Sequence, residues 1–280
     1  MKALGRSVAA SHRVLPGFRL SLSYTLLYLT VLLGVPLIAC LAKVSSLTLS
    51  QFLGAVWTER ARAAYLLTFG VSFAAAVINV PLGLLLAWIL VRYEFPFKRV
   101  FDSLIDLPFA LPTAVAGLVY ANLYVQNGWF GRYLVPLGIF GAYSRFAIVL
   151  VLTFIGLPFV VRTVQPVLET IETEIEEAAA SLGATRMQTF LRVLFPSLVP
   201  ALTTGFALTF ARSLGEYGSV VFVSGNLMFK TEIAPVLIVS QLEEYHYAEA
   251  TAIALVLLAG SFAMLAVINS LERWSRRYES

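Results

Sequence analysis

Two charged residues stand where the surrounding sequence is apolar, and they are the first candidates for chemistry. Arg212 and Glu216 lie four apart, which on a continuous helix places them on one face. At the centre of a membrane span each would cost roughly 2.5 to 3.5 kcal/mol on an insertion scale, so both must face protein or water. One reading makes them a polar lining of a path through the membrane, with Arg212 offering a positive field to an anion. The other makes them a mutually neutralising pair that fixes helix packing or a subunit contact. Asp106, Pro108 and Pro112 are a second candidate of the same kind. Two prolines four apart remove backbone donors and predict a kinked span whose freed carbonyls need protein or water. That bend either lines a lumen or is a structural kink with Asp106 at the interface.

Catalysis is excluded on inventory. A membrane hydrolase needs a nucleophile and a base, yet the only histidines, His12 and His246, fall outside the apolar runs. Cys40 is the single cysteine, which rules out an internal disulfide and a cysteine-rich metal site; it reads as a small residue in the first helix. No metal ligand set is expected. The chain has no Gly-x-x-x-x-Gly-Lys-[Ser/Thr] phosphate loop, so any ATP hydrolysis must come from a partner.

The elements that position these residues are set by composition. With 59% hydrophobic residues, 13% charged and a mean hydropathy of +0.83, the chain belongs in a bilayer, since soluble domains carry roughly a quarter charged residues. Apolar runs at or near the length of a span occur at Leu20 to Ala42, Ala63 to Val91, Leu107 to Gly131, Val193 to Ala211 and Ala250 to Leu271. A shorter run, Phe146 to Val161, is flanked by Arg145 and Arg162, whose stems reach the two interfaces. The expectation is therefore an all-α polytopic membrane protein of about six helices. With the N-terminus inside, 13 of the 20 Lys and Arg residues fall on the internal side and six outside, Arg212 standing apart because apolar sequence resumes at Val220 and the fifth span has room to run past it. Both termini are thus expected in the cytoplasm. The net charge of +4 is spread along that face, where lipid head groups and topology account for it, and no nucleic-acid partner is implied.

The internal connection from Arg162 to Pro196 carries helical signals of its own. Thr173 with Glu176 reads as a capping box and predicts a short helix over Glu174 to Leu182 that ends at Gly183. Thr185 with Gln188 repeats the spacing and predicts a second helix toward Leu194, interrupted at Phe195-Pro196. Ala178, Ala179 and Ala180 would let a partner approach the first helix closely. On capping signals alone, the elbow is also consistent with an ordinary connector.

The spacing Glu177-Ala178-Ala179, three residues, Gly183, nine residues, Val193, one residue, Phe195-Pro196 resembles the cytoplasmic loop signature of ABC importer permeases, with Val193 and Phe195 replacing the commoner Ile and Leu. The resemblance implies the type I ABC importer permease fold. It also implies a coupling helix seated on the ATPase subunit, with Glu177, Ala178, Ala179 and Gly183 as docking residues. Segments 13–18, 106–117, 158–169 and 212–218 resemble more narrowly the sulfate/thiosulfate permease subunits of bacterial importers, with molybdate or another oxyanion as the second choice. Such a subunit pairs with a second, similar permease subunit above two ATPase subunits that use ATP and Mg²⁺, while an external sulfate-binding protein delivers the anion. The setting implied is the bacterial cytoplasmic (inner) membrane. A different class, the ion-coupled secondary transporter, has no use for the Glu177 to Pro196 loop, and no inverted repeat is evident. The resulting division is a cytoplasmic leader over 1–19, a transmembrane permease domain over 20–271 with its coupling loop at 162–196, and a cytoplasmic tail over 272–280.

Overall fold

The computed structural model describes residues 17–276. Most of the expected leader, with Lys2, Arg6, His12 and Arg13, lies outside the described residues, as does the end of the tail at 277–280. Every regular element among the described residues is helical.

The N-terminal unit is one long apolar rod. It runs through α1 (Phe18–Leu29), a π turn at Thr30–Gly34 and α2 (Val35–Val44), which contains Cys40. The wide turn stands just before Pro36. Proline lacks an N–H and its ring clashes with the carbonyl four residues back, and a widened turn moves that carbonyl aside.

The second unit begins with α3 (Leu49–Val56), started by a Thr48/Gln51 capping box, and α4 (Glu59–Arg92), whose N-cap Thr58 accepts from the Ala61 amide. Short pieces follow: α5 (Lys98–Ile105), α6 (Leu107–Ala110), α7 (Thr113–Tyr124) and α8 (Gly131–Leu134). Then come α9 (Arg145–Thr170), α10 (Thr173–Ser181), α11 (Arg186–Thr189), a second π turn at Phe190–Leu194 and α12 (Phe195–Leu214). The chain closes with α13 (Val220–Val223), α14 (Ala234–Glu243) and α15 (Tyr247–Arg276).

Among the described residues, five helical stretches are long and apolar enough to cross a membrane: Phe18–Val44, Glu59–Arg92, Arg145–Thr170, Arg186–Leu214 and Tyr247–Ser270. The run from Leu107 to Gly131, expected as one kinked span, is instead discontinuous. Pro108 is tolerated in the first turn of α6, but Leu111 is extended at ψ 132° because a residue before proline avoids helical angles, and Pro112 opens α7. Two further expectations are corrected. Pro196 does not interrupt the helix, because the preceding π turn absorbs it. The fifth span does not run on to Val220 either: it stops at Leu214, two residues past Arg212, and Val220 belongs to the separate α13.

The core is the bundle of α4, α9 and α12, which pack on one another. Without a strong hydrophobic drive between helices in lipid, close packing carries the association, and small residues make it possible. A Cβ on Gly83 would lie 2.6 Å from the Val160 side chain, and one on Gly156 would meet Thr209 and, at 2.7 Å, Asn79 Nδ2. One apolar cluster surrounds Val71, Ile148 and Leu152; another surrounds Leu90, Val164, Leu168 and Leu198 toward the opposite end.

Candidate functional site

The elbow after α9 is built as the sequence suggests, with one local correction. The N-cap of α10 is Glu172, not Thr173, and no side chain caps it. Thr173 already has the helical conformation, so its hydroxyl cannot serve the first turn, and Glu174 and Glu176 complement the helix dipole there instead. Gly183 ends the helix at φ 84°. Its amide donates to the Ala180 carbonyl (2.9 Å) and the Ala184 amide donates to that of Ala179 (3.0 Å), the paired bonds of a Schellman end. The second box forms: the Thr185 amide donates to Gln188 Oε1 (2.8 Å), and the Gln188 amide to Thr185 Oγ1 (3.3 Å).

No residue of α10 is buried. Glu177 and Ala178 are exposed, Ala179 is half-buried, and Leu182 is 89% exposed. The helix thus presents an acid, a small residue and a large apolar side chain to solvent and has no core of its own. Glu176 faces the other way. Its Oε1 lies 2.7 Å from Arg92 Nη2 at the end of α4, and that same guanidinium donates to the Ile171 carbonyl (3.3 Å).

Beside this pair stands a knot that sequence reasoning missed. Arg162, expected only to reach the interface, grips Asp106 through Nε and Nη2 (2.9 and 2.6 Å) and Asp102 through Nη1 (2.6 Å), and donates to the Asp102 carbonyl and Gln165. Asp102 and Asp106 stand four apart along α5, one at its C-cap. That spacing, in a chain whose shortest apolar run ends at an arginine, was the available signal. At the far end of the bundle Arg60 holds Glu232 through two bonds (2.8 and 2.7 Å), and Arg145 Nε donates to the Lys230 carbonyl (2.8 Å). Charged residues therefore gather at the two ends.

Arg212 and Glu216 do pair, at 2.6 Å, but not across a continuous helix. Glu216 lies beyond the helix end in the turn before α13, where its Oε1 accepts from the Ser219 amide and hydroxyl (both 3.0 Å). Thr209, on the same helix, donates to the carbonyl of Gly156 in the middle of α9 (3.0 Å). Gly156 is eleven residues from the start of α9, so at about 1.5 Å per residue this layer lies on the order of 16 Å from the Arg145 end. From that layer α12 runs five residues further toward the Arg145 end, about 7.5 Å, and so stops short of that end, still packed within the bundle, with Glu216 2% and Arg212 37% exposed. Irregular backbone at such depth is tolerated where protein or a water-filled cavity surrounds it.

The remaining candidates divide. Thr113, just after Pro112, packs against Gly218, and Gly117 packs against the Ser219 backbone, so the Pro112 bend adjoins the Glu216 turn. Pro108 is buried, while Asp106 belongs to the Arg162 knot. The second pathway candidate is therefore split, with Pro112 beside the Glu216 turn and Asp106 in the Arg162 knot. Asn79, fully buried beside Gly156, is a further polar residue that the sequence reading passed over; neither of its carboxamide atoms has a protein partner. Among the described residues no group of three or more His, Cys, Asp or Glu could hold a metal ion.

Residues 79–277 match the family of binding-protein-dependent transport system inner membrane components. The sulfate transport system permease protein CysT of Synechococcus elongatus is 52% identical over 255 residues, covering 91% of this chain and 92% of that protein. Its counterpart in Escherichia coli is 47% identical over 269 residues, covering 96% and 97%. Among solved structures, a bacterial ABC transporter involved in import of the acidic polysaccharide alginate superposes with a TM-score of 0.76 at 18% identity, over 91% of this chain and 94% of that one. An inward-facing methionine ABC transporter superposes at 0.53 with 20% identity, over 82% and 99%.

Proposed function

Since the chain belongs to the family of binding-protein-dependent transport system inner membrane components, we propose that it is the membrane-spanning permease subunit of an ATP-driven importer of sulfate and thiosulfate. The observation that carries the substrate is identity of about half with sulfate permeases over nine-tenths or more of the chain. The chain is a transport subunit, not an enzyme. It pairs with a second permease subunit in the bacterial cytoplasmic membrane, termini inward. Two ATPase subunits beneath it consume ATP and Mg²⁺, and an external binding protein delivers the anion.

In this reading α10 is the docking helix. Glu177 and Ala178 face the ATPase, Ala179 permits close approach, and Gly183 fixes the helix end. The break after α12 lies on the translocation path, where Arg212, held by Glu216 and next to the Pro112 bend, meets the anion. Pro108 and Asp106 shape the discontinuous third span toward the cytoplasmic end.

The test is uptake of radiolabelled sulfate by the complex reconstituted with its ATPase and binding protein. Uptake is expected to require ATP on the ATPase side, to be competed by thiosulfate, and to resist excess molybdate. Preference for molybdate would reassign the oxyanion. Transport that persists without ATP and follows an ion gradient would reject the class.

A further inference from the structure

The glutamates at 176 and 177 face different sides of α10, and only the second belongs to the docking surface. Successive helical residues are turned by about 100°, so the two side chains point to different neighbours. Glu177 is exposed, whereas Glu176 turns toward α4 and reaches Arg92. The contact is partly sheltered: the Arg92 and Glu176 side chains are 17% and 33% exposed, the guanidinium centre lies 5.8 Å from the centroid of the Trp88 ring, and Arg92 Nε is buried with no protein partner of its own. A partly buried ion pair is screened less than a surface pair, and losing one partner leaves the other without its counter-charge.

The pair is conspicuous because so little else holds α10. That helix buries no residue. Among the described residues, the ion pair with Arg92 is the only hydrogen bond or ion pair that joins an α10 side chain to a membrane-spanning helix. Arg92 also bonds the Ile171 carbonyl at the α9 to α10 junction, so one side chain fixes both the hinge and the helix. It sits at the end of α4, which packs against both α9 and α12. A push on α10 from below thus has a short rigid route into the three-helix core.

We infer that Arg92 and Glu176 are positioning residues that tie the docking helix to α4, so that movement of the ATPase is transmitted to the transport bundle. The inference rests on the reading of α10 as the ATPase-docking helix. It separates two functions in adjacent residues: Glu177 holds the motor, and Glu176 passes on its stroke.

The test compares Arg92→Gln, Glu176→Gln, the double variant and Glu177→Gln in the reconstituted complex, measuring ATPase copurification and radiolabelled sulfate moved per ATP hydrolysed. The Arg92 and Glu176 variants are expected to keep copurification at the parental level while sulfate per ATP falls about fivefold or more. The double variant should be no worse than either single change, as for residues acting as one unit. An unchanged ratio in both single variants overturns the inference, as do effects that multiply in the double variant. Loss of copurification in Glu176→Gln overturns it too, by making Glu176 a docking residue. Glu177→Gln judges the underlying reading separately: intact copurification there removes the docking assignment, whatever the Glu176 result.

Discussion

At the scale of single residues, the Arg212 and Glu216 pair separates pathway from scaffold. Glu216 is almost wholly buried and is held by Ser219 as well, whereas Arg212 keeps a third of its side chain open. Removing the guanidinium therefore leaves a buried carboxylate with neutral partners only. The cost belongs at the low end of the about 3 to 5 kcal/mol seen when buried pairs are broken, since solvent reaches the arginine. Arg212→Gln is expected to lower the yield of assembled complex, and adding Glu216→Gln is expected to restore much of it while sulfate uptake stays low. Full recovery of uptake in the double variant would take Arg212 off the path. These two residues were legible as a pair because they are close in sequence. The Arg162 knot was not, because its carboxylates lie 56 and 60 residues upstream and only the folded chain brings them together.

At the scale of elements, what could be read was what is local. The Thr185/Gln188 box and the Gly183 end follow from chemistry contained within a few residues, and both formed. The Thr173 box failed by one residue because Glu172 ended the preceding turn, a boundary that depends on how α9 finishes. A Cβ at Gly183 would meet no atom within 4 Å, so only backbone strain opposes substitution there. Gly183→Val should cost about 1 to 2 kcal/mol of helix-end stability and weaken ATPase copurification, while membrane insertion is unaffected. Gly183→Asn should be tolerated, because asparagine visits the left-handed region more readily. Gly156 presents the opposite case. With Thr209 and Asn79 packed against it, Gly156→Ala is expected to destabilise the bundle by about 1 to 3 kcal/mol, read as a lower thermal midpoint in detergent.

At the scale of the whole molecule, membrane residence and the approximate number of long apolar helices came from composition and run length, which need no tertiary knowledge, although five rather than six are continuous among the described residues. The discontinuity of the third span and the early end of α12 depend on what surrounds them. Leu111 is extended because a proline follows, whereas α12 stops in a turn that Glu216 braces and α7 packs against. The π turn at Phe190–Leu194 connects the two halves of this design, since it lies between the docking elbow and α12. Its extra residue is absorbed locally, because a wide turn takes in one residue more than an ordinary turn for nearly the same rotation. Removing one residue there would restore the ordinary helical repeat and leave the elbow close to its present phase relative to α12. Deletion of Leu191 is thus expected to leave both membrane insertion and ATPase copurification intact. The compass bearing of the docking helix beneath the membrane survives the loss of a residue at a turn that has one to spare.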